Sequence, residues 1–311
     1  MKRIIVSGAD ARYFLLLAEL HASLRDRGVL AGTAFGVLDC GLTAAQRGTL
    51  VERGALVVDA VWDGDFPLRA ELERVRPGLK AMTSRPLLPE LFPGFELFLW
   101  LDADTWLQSP EIVELFFATA AGGTLAAVME LDRSYPFVRD AGRYWENMRE
   151  WCAAASGSAT TARFMAHRPT INSGAFALAA GAGHWAPWRR ATRSWYALQT
   201  ALSHPTSLVE QFALNFVVYR GGFPFVPLPA RCNWLCHLAL PAWDPASGRL
   251  CDPLPPHEPI GLVHVCDWTK NMAPEVPGVD GMPRRMRLTY PPRVQVEDAA
   301  AAKNAAGRSA G

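Results

Sequence analysis

Two carboxylates one residue apart, Asp102 and Asp104, follow the nearly continuous apolar segment 95–101. At the end of a strand both side chains can turn to the same side, where their negative charges repel each other. A divalent cation between them removes this repulsion and keeps open positions for the phosphate oxygens of a substrate. The alternative is an ordinary turn, in which an aspartate binds its own backbone. The pair predicts a metal site only if other residues support it.

Further acids stand at the ends of predicted strands. Asp10 follows the apolar segment 3–8, and Glu130 ends the segment 124–130. In a parallel sheet, ligands bind beyond the carboxyl ends of the strands, so these acids should lie along the same edge as Asp102 and Asp104. This edge is the predicted functional site.

Strands and helices alternate through the first half of the chain. The pattern predicts strands at 3–8, 31–39, 55–60, 95–101 and 124–130 and helices at 12–27, 43–53 and 78–91. The apolar continuity of 95–101 indicates a strand that is buried on both faces. A further helix should begin at Ser109-Pro110-Glu111, with Ser109 as its N-cap. This alternation predicts an α/β fold with a Rossmann-like, mostly parallel sheet and flanking helices.

The second half of the chain is less regular. Helices are predicted at 136–154 and 207–219 and a strand at 260–266, with long loops at 221–259. We interpret two helical stripes as core, namely Phe137, Ala141, Tyr144, Met148 and Trp151, and Trp188, Ala191, Trp195, Leu198 and Leu202. We expect a Rossmann-like half at 1–135, a second half at 136–290 that completes the same domain, and a flexible tail at 291–311.

The composition argues against several classes of protein. The 311 residues include 31 basic and 30 acidic side chains, so the net charge is +1 and a nucleic-acid-binding surface is not expected. No apolar run approaches the roughly 20 residues of a membrane span, and the start of the chain lacks the apolar segment of a signal peptide. We therefore expect a cytoplasmic protein with reduced cysteines.

Cysteine and histidine residues near the C-terminus offer an alternative metal site. They are Cys232, Cys236, His237, Cys251, His264 and Cys266. Their segment lacks the paired C-x-x-C spacing of a structural zinc site. Because free cysteine is among the most buried residue types, we interpret these cysteines as core residues.

Six segments, in this order, resemble the motifs of the retaining glycosyltransferases of family eight, over most of residues 3–270. They are ADARY at 9–13, Arg85 at 17 residues before Asp102, LWLDADTWLQSP at 99–110, INSGAFAL at 171–178, VEQFALN at 209–215 and HVCDWTK at 264–270. The resemblance implies a GT-A fold. It also implies metal-dependent transfer of a hexosyl group from a UDP-sugar to a hydroxyl acceptor, with retention of the anomeric configuration.

The resemblance implies a role for each matching residue. The metal ligands would be Asp102, Asp104 and His264. The UDP-sugar would be bound by Ala9, Asp10, Tyr13, Arg85, Asp102, Ala103, Asp104, Asn172, Ser173 and Lys270. The catalytic residues would be Gln211, Glu210 and Asn172. One imidazole among oxygen ligands favours Mn²⁺ over Mg²⁺, because Mg²⁺ prefers oxygen alone.

Two residues depart from the family's pattern. Glu210 replaces an aspartate, and because it also forms a capping box with Ser207, it is either a helix cap or a catalytic residue. Asp267 replaces a glycine beside the predicted diphosphate site, where an acid is unfavourable unless it points away or holds the acceptor. Retention by double displacement needs a carboxylate near the anomeric carbon, for which Glu210, Glu130 and Asp132 are candidates, whereas front-face attack needs none.

Two other functions are compatible with the sequence. A sugar-nucleotide-binding protein without transferase activity, a scaffold or sensor, would keep the donor site. A nucleotidyltransferase would begin with a Gly-rich phosphate loop, but SGADARYF contains one glycine. For the leading function, the acceptor is a glycan, a lipid-linked sugar or another hydroxyl compound, and a lipid-linked acceptor would bring peripheral membrane contact.

Some side chains near these motifs have an ordinary interpretation as well. Trp234, Trp243 and Trp268 either shape the acceptor side, since aromatic faces suit sugar rings, or belong to the core. Arg12 and Lys80 are interpreted as solvated charges.

Overall fold

A seven-stranded sheet is the centre of the computed structural model, which describes residues 1–135, 141–202 and 204–294. Its strands, with those of three smaller sheets, are β1 (Arg3–Ala9), β2 (Ala34–Asp39), β3 (Leu56–Asp59), β4 (Leu97–Leu101), β5 (Thr105–Leu107), β6 (Leu125–Met129), β7 (Ile171–Ala179), β8 (Phe225–Leu228), β9 (Trp234–Leu235), β10 (Ala242–Asp244), β11 (Arg249–Cys251), β12 (Leu262–His264), β13 (Glu275–Val276), β14 (Arg284–Arg287) and β15 (Arg293–Val294).

Helices flank this sheet. They are α1 (Phe14–Asp26), α2 (Ala44–Glu52), α3 (Arg69–Val75), α4 (Lys80–Ser84), α5 (Leu88–Leu91), α6 (Glu111–Ala120), α7 (Ala141–Ser156), α8 (Ala159–Ala166), α9 (Trp185–Tyr196) and α10 (Val209–Gly221). Within the described ranges, none of the helices combines the length and the apolar character that a membrane span requires.

The strand order of the large sheet is β3-β2-β1-β4-β7-β6-β8. The pairs β2–β3, β1–β2, β1–β4 and β6–β8 are parallel, and β7 is antiparallel to both of its neighbours. The predicted α/β fold with a mostly parallel sheet is confirmed. Because β7 lies between β4 and β6, the two predicted halves of the chain contribute to one sheet.

Both faces of the sheet are covered, as the apolar continuity of 95–101 predicted. In β4 the alternate residues Leu97, Leu99 and Leu101 pack with α1 and α6, whereas Phe98 and Trp100 pack with α9 and α10 on the other face. Every residue of β4 is buried. A strand with apolar residues on both faces needs such a position in the middle of a sheet.

A bulge in β7 reshapes the edge where β4 and β6 end. Ala127 pairs with Phe176, but the next residue, Val128, pairs with Asn172, so β7 carries extra residues between these pairs. On its other side, Asp102 donates its main-chain N–H to the carbonyl of Gly174 at 2.7 Å. Bulges bend a strand and redirect its side chains, and this one lies next to Asp102.

A small sheet of β5, β12 and β9 joins the C-terminal region to this edge. Its register places His264 opposite Thr105 in antiparallel β5 and opposite Leu235 in parallel β9. The pairing continues where Val265 donates its N–H to the carbonyl of Asp104 at 2.9 Å. This register fixes the main chain at His264 beside Asp104, although the two residues are far apart in sequence.

Several predicted elements differ from the structure. The helix predicted at 78–91 is broken into α4 and α5 by a 3₁₀ turn at Arg85–Leu87, because Pro86 and Pro89 lack the N–H that a continuous helix needs. Helices α3 and α8 were not predicted. The loop region 221–259 contains the short strands β8 to β11.

Two helix boundaries were also predicted wrongly, and a third lies partly outside the described residues. Helix α6 begins at Glu111 with Pro110 at its N-cap, and the Ser109 hydroxyl accepts a hydrogen bond from Arg249 instead of capping the helix. Helix α9 ends at Tyr196, so Leu198 and Leu202 are exposed rather than core. The start of the predicted helix 136–154, with Phe137, lies outside the described residues.

The predicted flexible tail at 291–311 begins with ordered residues. Arg293 and Val294 form β15, which pairs with β14. Residues 295–311 lie outside the described residues.

Candidate active site

A cavity of about 790 Å³ lies at the edge of the sheet where the acids were predicted to meet. The predicted site residues that line it are Ala9, Asp10, Tyr13, Arg85, Asp102, Ala103, Asp104, Glu130, Asn172, Ser173, Gln211, His264 and Lys270. Glu210 is not among the lining residues and is 1% exposed. A more open groove of about 1120 Å³ beside Trp62 and Phe66 contains none of the predicted site residues.

Three potential metal ligands from distant parts of the chain converge in this cavity. Each of Asp102, Asp104 and His264 offers a ligand atom, and these atoms lie within 4.8 Å of one another. His264 Nε2 is 3.2 Å from an oxygen of Asp104 and 4.0 Å from an oxygen of Asp102. Two atoms that share an ion at about 2.2 Å lie no more than about 4.4 Å apart, so these two distances are compatible with one coordination sphere.

Gly174 allows strand β7 to approach this group closely. A Cβ atom at this position would lie 2.5 Å from His264 Cε1, 2.8 Å from an oxygen of Asp102 and 2.9 Å from Asn172 Oδ1. Real Cβ atoms do not approach other atoms so closely, so any larger residue would displace the side chains that form the group. The glycine of the N-S-G motif therefore has a steric reason at the site.

Lys270 compensates the charge of Asp104. Its Nζ donates to Asp104 Oδ2 at 2.8 Å and to the Tyr13 hydroxyl at 3.1 Å. Burial raises the pKa of the Asp104 carboxyl, but His264 and Lys270 lower it by more, so that it lies well below its usual range. Asp104 is therefore a carboxylate at neutral pH, which is the form that binds a cation.

Arg85 is a buried guanidinium shared by two carboxylates. It donates to Glu210 Oε2 at 2.6 Å, to the Ser173 hydroxyl at 2.9 Å and to Asp102 Oδ1. Its Cζ atom also lies 4.6 Å from the centre of the Trp100 ring. Only 2% of the Arg85 surface is exposed. A charge buried this deeply needs partners of opposite charge, and by pairing with Asp102, Arg85 also fixes the position of that carboxylate.

Glu210 belongs to this buried ion pair, and the predicted capping box is wrong. Helix α10 has Leu208 at its N-cap and no side-chain cap hydrogen bond. The Glu210 carboxylate instead accepts from Arg85 and from the Ser173 hydroxyl, the latter at 3.1 Å. Burial raises the pKa of Glu210 to about 7, although Arg85 lowers it.

Two amides share one carboxylate oxygen in the cavity. Asn172 Nδ2 and Gln211 Nε2 both donate to Glu130 Oε1, at 2.9 and 3.2 Å. Gln211 Oε1 accepts the N–H of Ser173 at 2.9 Å. Burial raises the pKa of Glu130 above its ordinary value, and the two amide donors offset only part of this rise. Asn172 and Gln211 are thus held in fixed orientations by protein groups.

Two cations that we interpreted as solvated are paired. Arg12 donates to Asp10 Oδ2 at 2.8 Å through its guanidinium, and its N–H donates to Asp10 Oδ1 at 2.9 Å. Lys80 lies 2.5 Å from Glu73. Asp10, directly after β1, is only 2% exposed. Arg12 therefore compensates the negative charge of a buried carboxylate at the end of this strand.

The main chain at Asp267 has the conformation of a residue that is more often glycine. Asp267 has a φ of 55°, in the left-handed region that glycine adopts most easily. Its side chain is exposed and lines the cavity. Nearby, His237 Nδ1 and Cys266 Sγ are 2.7 Å apart and also line the cavity, and burial lowers the pKa of His237 to about 4.

The structure distinguishes between the two interpretations of the tryptophans, acceptor side or core. Trp234 is 1% exposed and belongs to the core, and neither Trp243 nor Trp268 lines the cavity. Met148 and Trp151 of α7 pack in the core, as we interpreted them, and they also line the cavity. The core interpretation of Trp188 is confirmed. The 3.6-residue stripe could not reveal that these two residues also reach the cavity.

The alternative cysteine site is not formed. All six cysteines are free thiols, five of them buried. Within the described ranges, the only group of three or more metal-binding side chains is Asp102, Asp104 and His264. The interpretation of Cys232, Cys236 and Cys251 as core is confirmed.

Solved glycosyltransferase structures share this fold. A structure of the galactosyltransferase LgtC with donor and acceptor sugar analogs is 20% identical, with a TM-score of 0.52 over 86% of this chain and 88% of the LgtC chain. An active-site mutant of LgtC is 17% identical, with a TM-score of 0.53 over 98% and 95%. No protein-family model and no curated protein matches the chain. The likeness shows the GT-A fold.

Proposed function

We propose that this protein is a metal-dependent glycosyltransferase that moves a hexosyl group from a UDP-sugar to a hydroxyl acceptor, with retention at the anomeric carbon. The observation that carries the proposal is the convergence of Asp102, Asp104 and His264 at the strand-end cavity of a GT-A fold. A cation held there would lie beside the position where a nucleotide diphosphate enters such a sheet.

The donor set fits a divalent cation. It combines two carboxylates with one imidazole nitrogen, and this mixture favours Mn²⁺ over Mg²⁺. When bound, the ion would act as a Lewis acid that offsets the charge developing on the leaving diphosphate. Gly174 leaves the space that this arrangement needs.

Lys270 would exchange partners during the reaction. It now neutralises Asp104, a task that a divalent cation would take over. Its Nζ would then be free to donate to the departing diphosphate as a point charge. Arg85 is too deeply buried to offer more than part of its guanidinium to the cavity, so its main role is to hold Asp102 and Ser173.

The amides would orient the transferred sugar. Asn172 and Gln211 line the cavity with their NH₂ groups fixed on Glu130, so sugar hydroxyls would meet preset partners. Of the carboxylates considered for double displacement, Glu130 lines the cavity, whereas Glu210 and Asp132 do not. A covalent route would therefore run through Glu130, and a front-face route would use the leaving phosphate as the base.

The acceptor would lie against a wall that contains Met148 and Trp151. Trp151 offers an aromatic face for the apolar side of a sugar ring, as in other sugar-binding proteins. We propose a glycan or a lipid-linked sugar as acceptor, in the cytoplasm, with peripheral membrane contact in the second case.

A screen for UDP release tests this function. Purified protein would be incubated with UDP-glucose, UDP-galactose and their N-acetylated analogues, with Mn²⁺ or with a chelator, and with sugar acceptors. We expect Mn²⁺-dependent release from at least one donor. Release that is equal in chelator, or that persists in Asp104→Asn, contradicts the proposal.

A second candidate function is sugar-nucleotide binding without transfer. It is favoured by Asp267, an exposed carboxylate in the cavity at the position of the family's glycine. Calorimetry distinguishes the two functions: UDP binding that requires Mn²⁺, with no turnover on any donor and acceptor, supports the binding protein. Turnover excludes it.

A further inference from the structure

Asn233 is a fully buried amide that no motif assigns to the site. It lies between the 3₁₀ turn Ala230–Cys232 and β9, with 0% of its surface exposed. Its side chain contacts His264 on one side and Asn172 on the other. It therefore lies between the proposed metal ligands and the amides proposed to bind the sugar.

The main chain determines how these amides are oriented. The N–H of Gly174 donates to Asn172 at 2.9 Å, and since an N–H can only donate, the Asn172 atom must be its oxygen. The other amide atom of Asn172 accordingly donates to Glu130. The Asn233 atom that lies 2.8 Å from Asn172 Oδ1 must then be its nitrogen, because two oxygens would repel.

The orientation of Asn233 in turn determines the tautomer of His264. The remaining Asn233 atom is its oxygen, which lies 3.0 Å from His264 Nδ1 and can only accept. Nδ1 therefore carries the hydrogen, and in the neutral ring Nε2 has the lone pair. Nε2 is the atom that faces Asp102 and Asp104, at 4.0 and 3.2 Å.

We infer that Asn233 is a positioning residue that fixes His264 in the tautomer needed to bind the metal ion and links this ligand to Asn172. The inference rests on the proposed function, since it assumes that His264 binds a metal. Removing the hydrogen-bond partner of a metal-ligating histidine typically lowers metal affinity or activity by about 10- to 100-fold.

Two substitutions separate the two contacts of Asn233. Asn233→Leu removes both contacts at similar size. Asn233→Asp keeps an acceptor for the Nδ1 hydrogen but turns an oxygen toward Asn172 Oδ1. The control is Gln199→Leu, which removes another buried amide that bonds to the carbonyls of Ala155 and Trp195 outside the cavity.

Mn²⁺ affinity without nucleotide is the first readout, measured from the electron paramagnetic resonance signal of free Mn²⁺. We expect Asn233→Leu to bind about 10- to 100-fold more weakly than wild type. Asn233→Asp should bind as tightly as wild type but lose activity, and Gln199→Leu should match wild-type binding. A folded Asn233→Leu variant with wild-type affinity overturns the inference.

The nitrogen chemical shifts of His264 in the wild-type protein are the second readout, which needs no variant to fold. Recorded without metal at a pH where the ring is neutral, they should show hydrogen on Nδ1. Hydrogen on Nε2 overturns the inference. A wild type that binds no Mn²⁺ refutes the proposed function, whereas wild-type binding with an unaffected Asn233→Leu variant refutes this inference alone.

Discussion

Two groups of polar side chains meet in the cavity and are held in different ways. In the charged group, each carboxylate has a cationic partner, Asp102 with Arg85 and Asp104 with Lys270. In the amide group, Asn172 and Gln211 are held by Glu130 and by main-chain N–H groups. The partner of Asp104 can be exchanged for a metal ion, whereas the amide group is already complete.

This difference suggests a division of labour. A long, flexible lysine can leave a carboxylate when a divalent cation arrives, so the charged group can respond to substrate. Amides fixed by the main chain cannot respond, and in the proposed function they would offer a constant shape to the sugar. The charged group should therefore determine metal and diphosphate binding, and the amide group the rate of transfer.

Asp104→Asn should have the largest effect. It removes one charge of the metal group while keeping the shape of the side chain, and we expect Mn²⁺ binding to fail and kcat to fall by about 10²–10³. Mn²⁺ titration and UDP release measure the two effects. The control is Asp63→Asn, which breaks an ion pair with Arg189 outside the cavity. It should keep the Mn²⁺ affinity and the rate of UDP release of wild type.

Glu210→Gln tests the buried ion pair behind the charged group. The pKa of Glu210 is raised by burial from 4.5 to about 7, so between these pH values the folded protein holds a proton that the unfolded chain has released. The contribution of this group to stability is complete below pH 4.5 and is lost as the pH rises through 7.

The variant lacks this titration. From pH 4.5 to 8, the free energy of unfolding of wild type should therefore fall relative to that of Glu210→Gln by up to about 3 kcal/mol. Urea unfolding at several pH values measures it. Parallel pH profiles would show that Glu210 titrates normally.

Gln211→Leu acts mainly on the amide group, which Gln211 joins to the charged group through Ser173. It removes a hydrogen bond to the Glu130 carboxylate and one to the Ser173 N–H, so we expect kcat to fall by about 10- to 100-fold. Mn²⁺ affinity should remain that of wild type. A loss of metal binding in this variant would remove the distinction between the two groups.

Trp151→Leu should have the smallest effect. It replaces an aromatic face at the cavity wall with a smaller apolar side chain, at a cost of about 1 kcal/mol in acceptor binding. The KM for the acceptor should rise by about fivefold, with the KM for the donor unchanged. An effect on the donor instead would place Trp151 on the nucleotide side.

The charged group was easier to predict from the sequence than the amide group. Asp102, Asp104 and Asp10 are recognisable because unpaired acids after apolar strands are costly and therefore informative. The alternation of strands and helices predicted the sheet for a similar reason. Asn172 and Gln211 were found through their resemblance to family motifs, since a single amide carries no pattern of its own.

What the sequence could not reveal depends on tertiary contacts. The capping box at Ser207 and Glu210 is a local pattern, and the buried Arg85 outcompetes it for the carboxylate. Asn233 is one polar residue in the apolar segment 232–236, which could have marked it as buried and bonded. Its partners are determined by the register of β9 and β12, which is not visible in the sequence.

A crystal structure of the protein grown with Mn²⁺ and UDP, with anomalous data collected at the manganese edge, tests the central claim most directly. The account predicts one strong anomalous peak that is ligated by Asp102, Asp104 and His264 Nε2 and contacts the diphosphate. A peak elsewhere, or UDP bound in the cavity with no ion between these side chains and its phosphates, would contradict it.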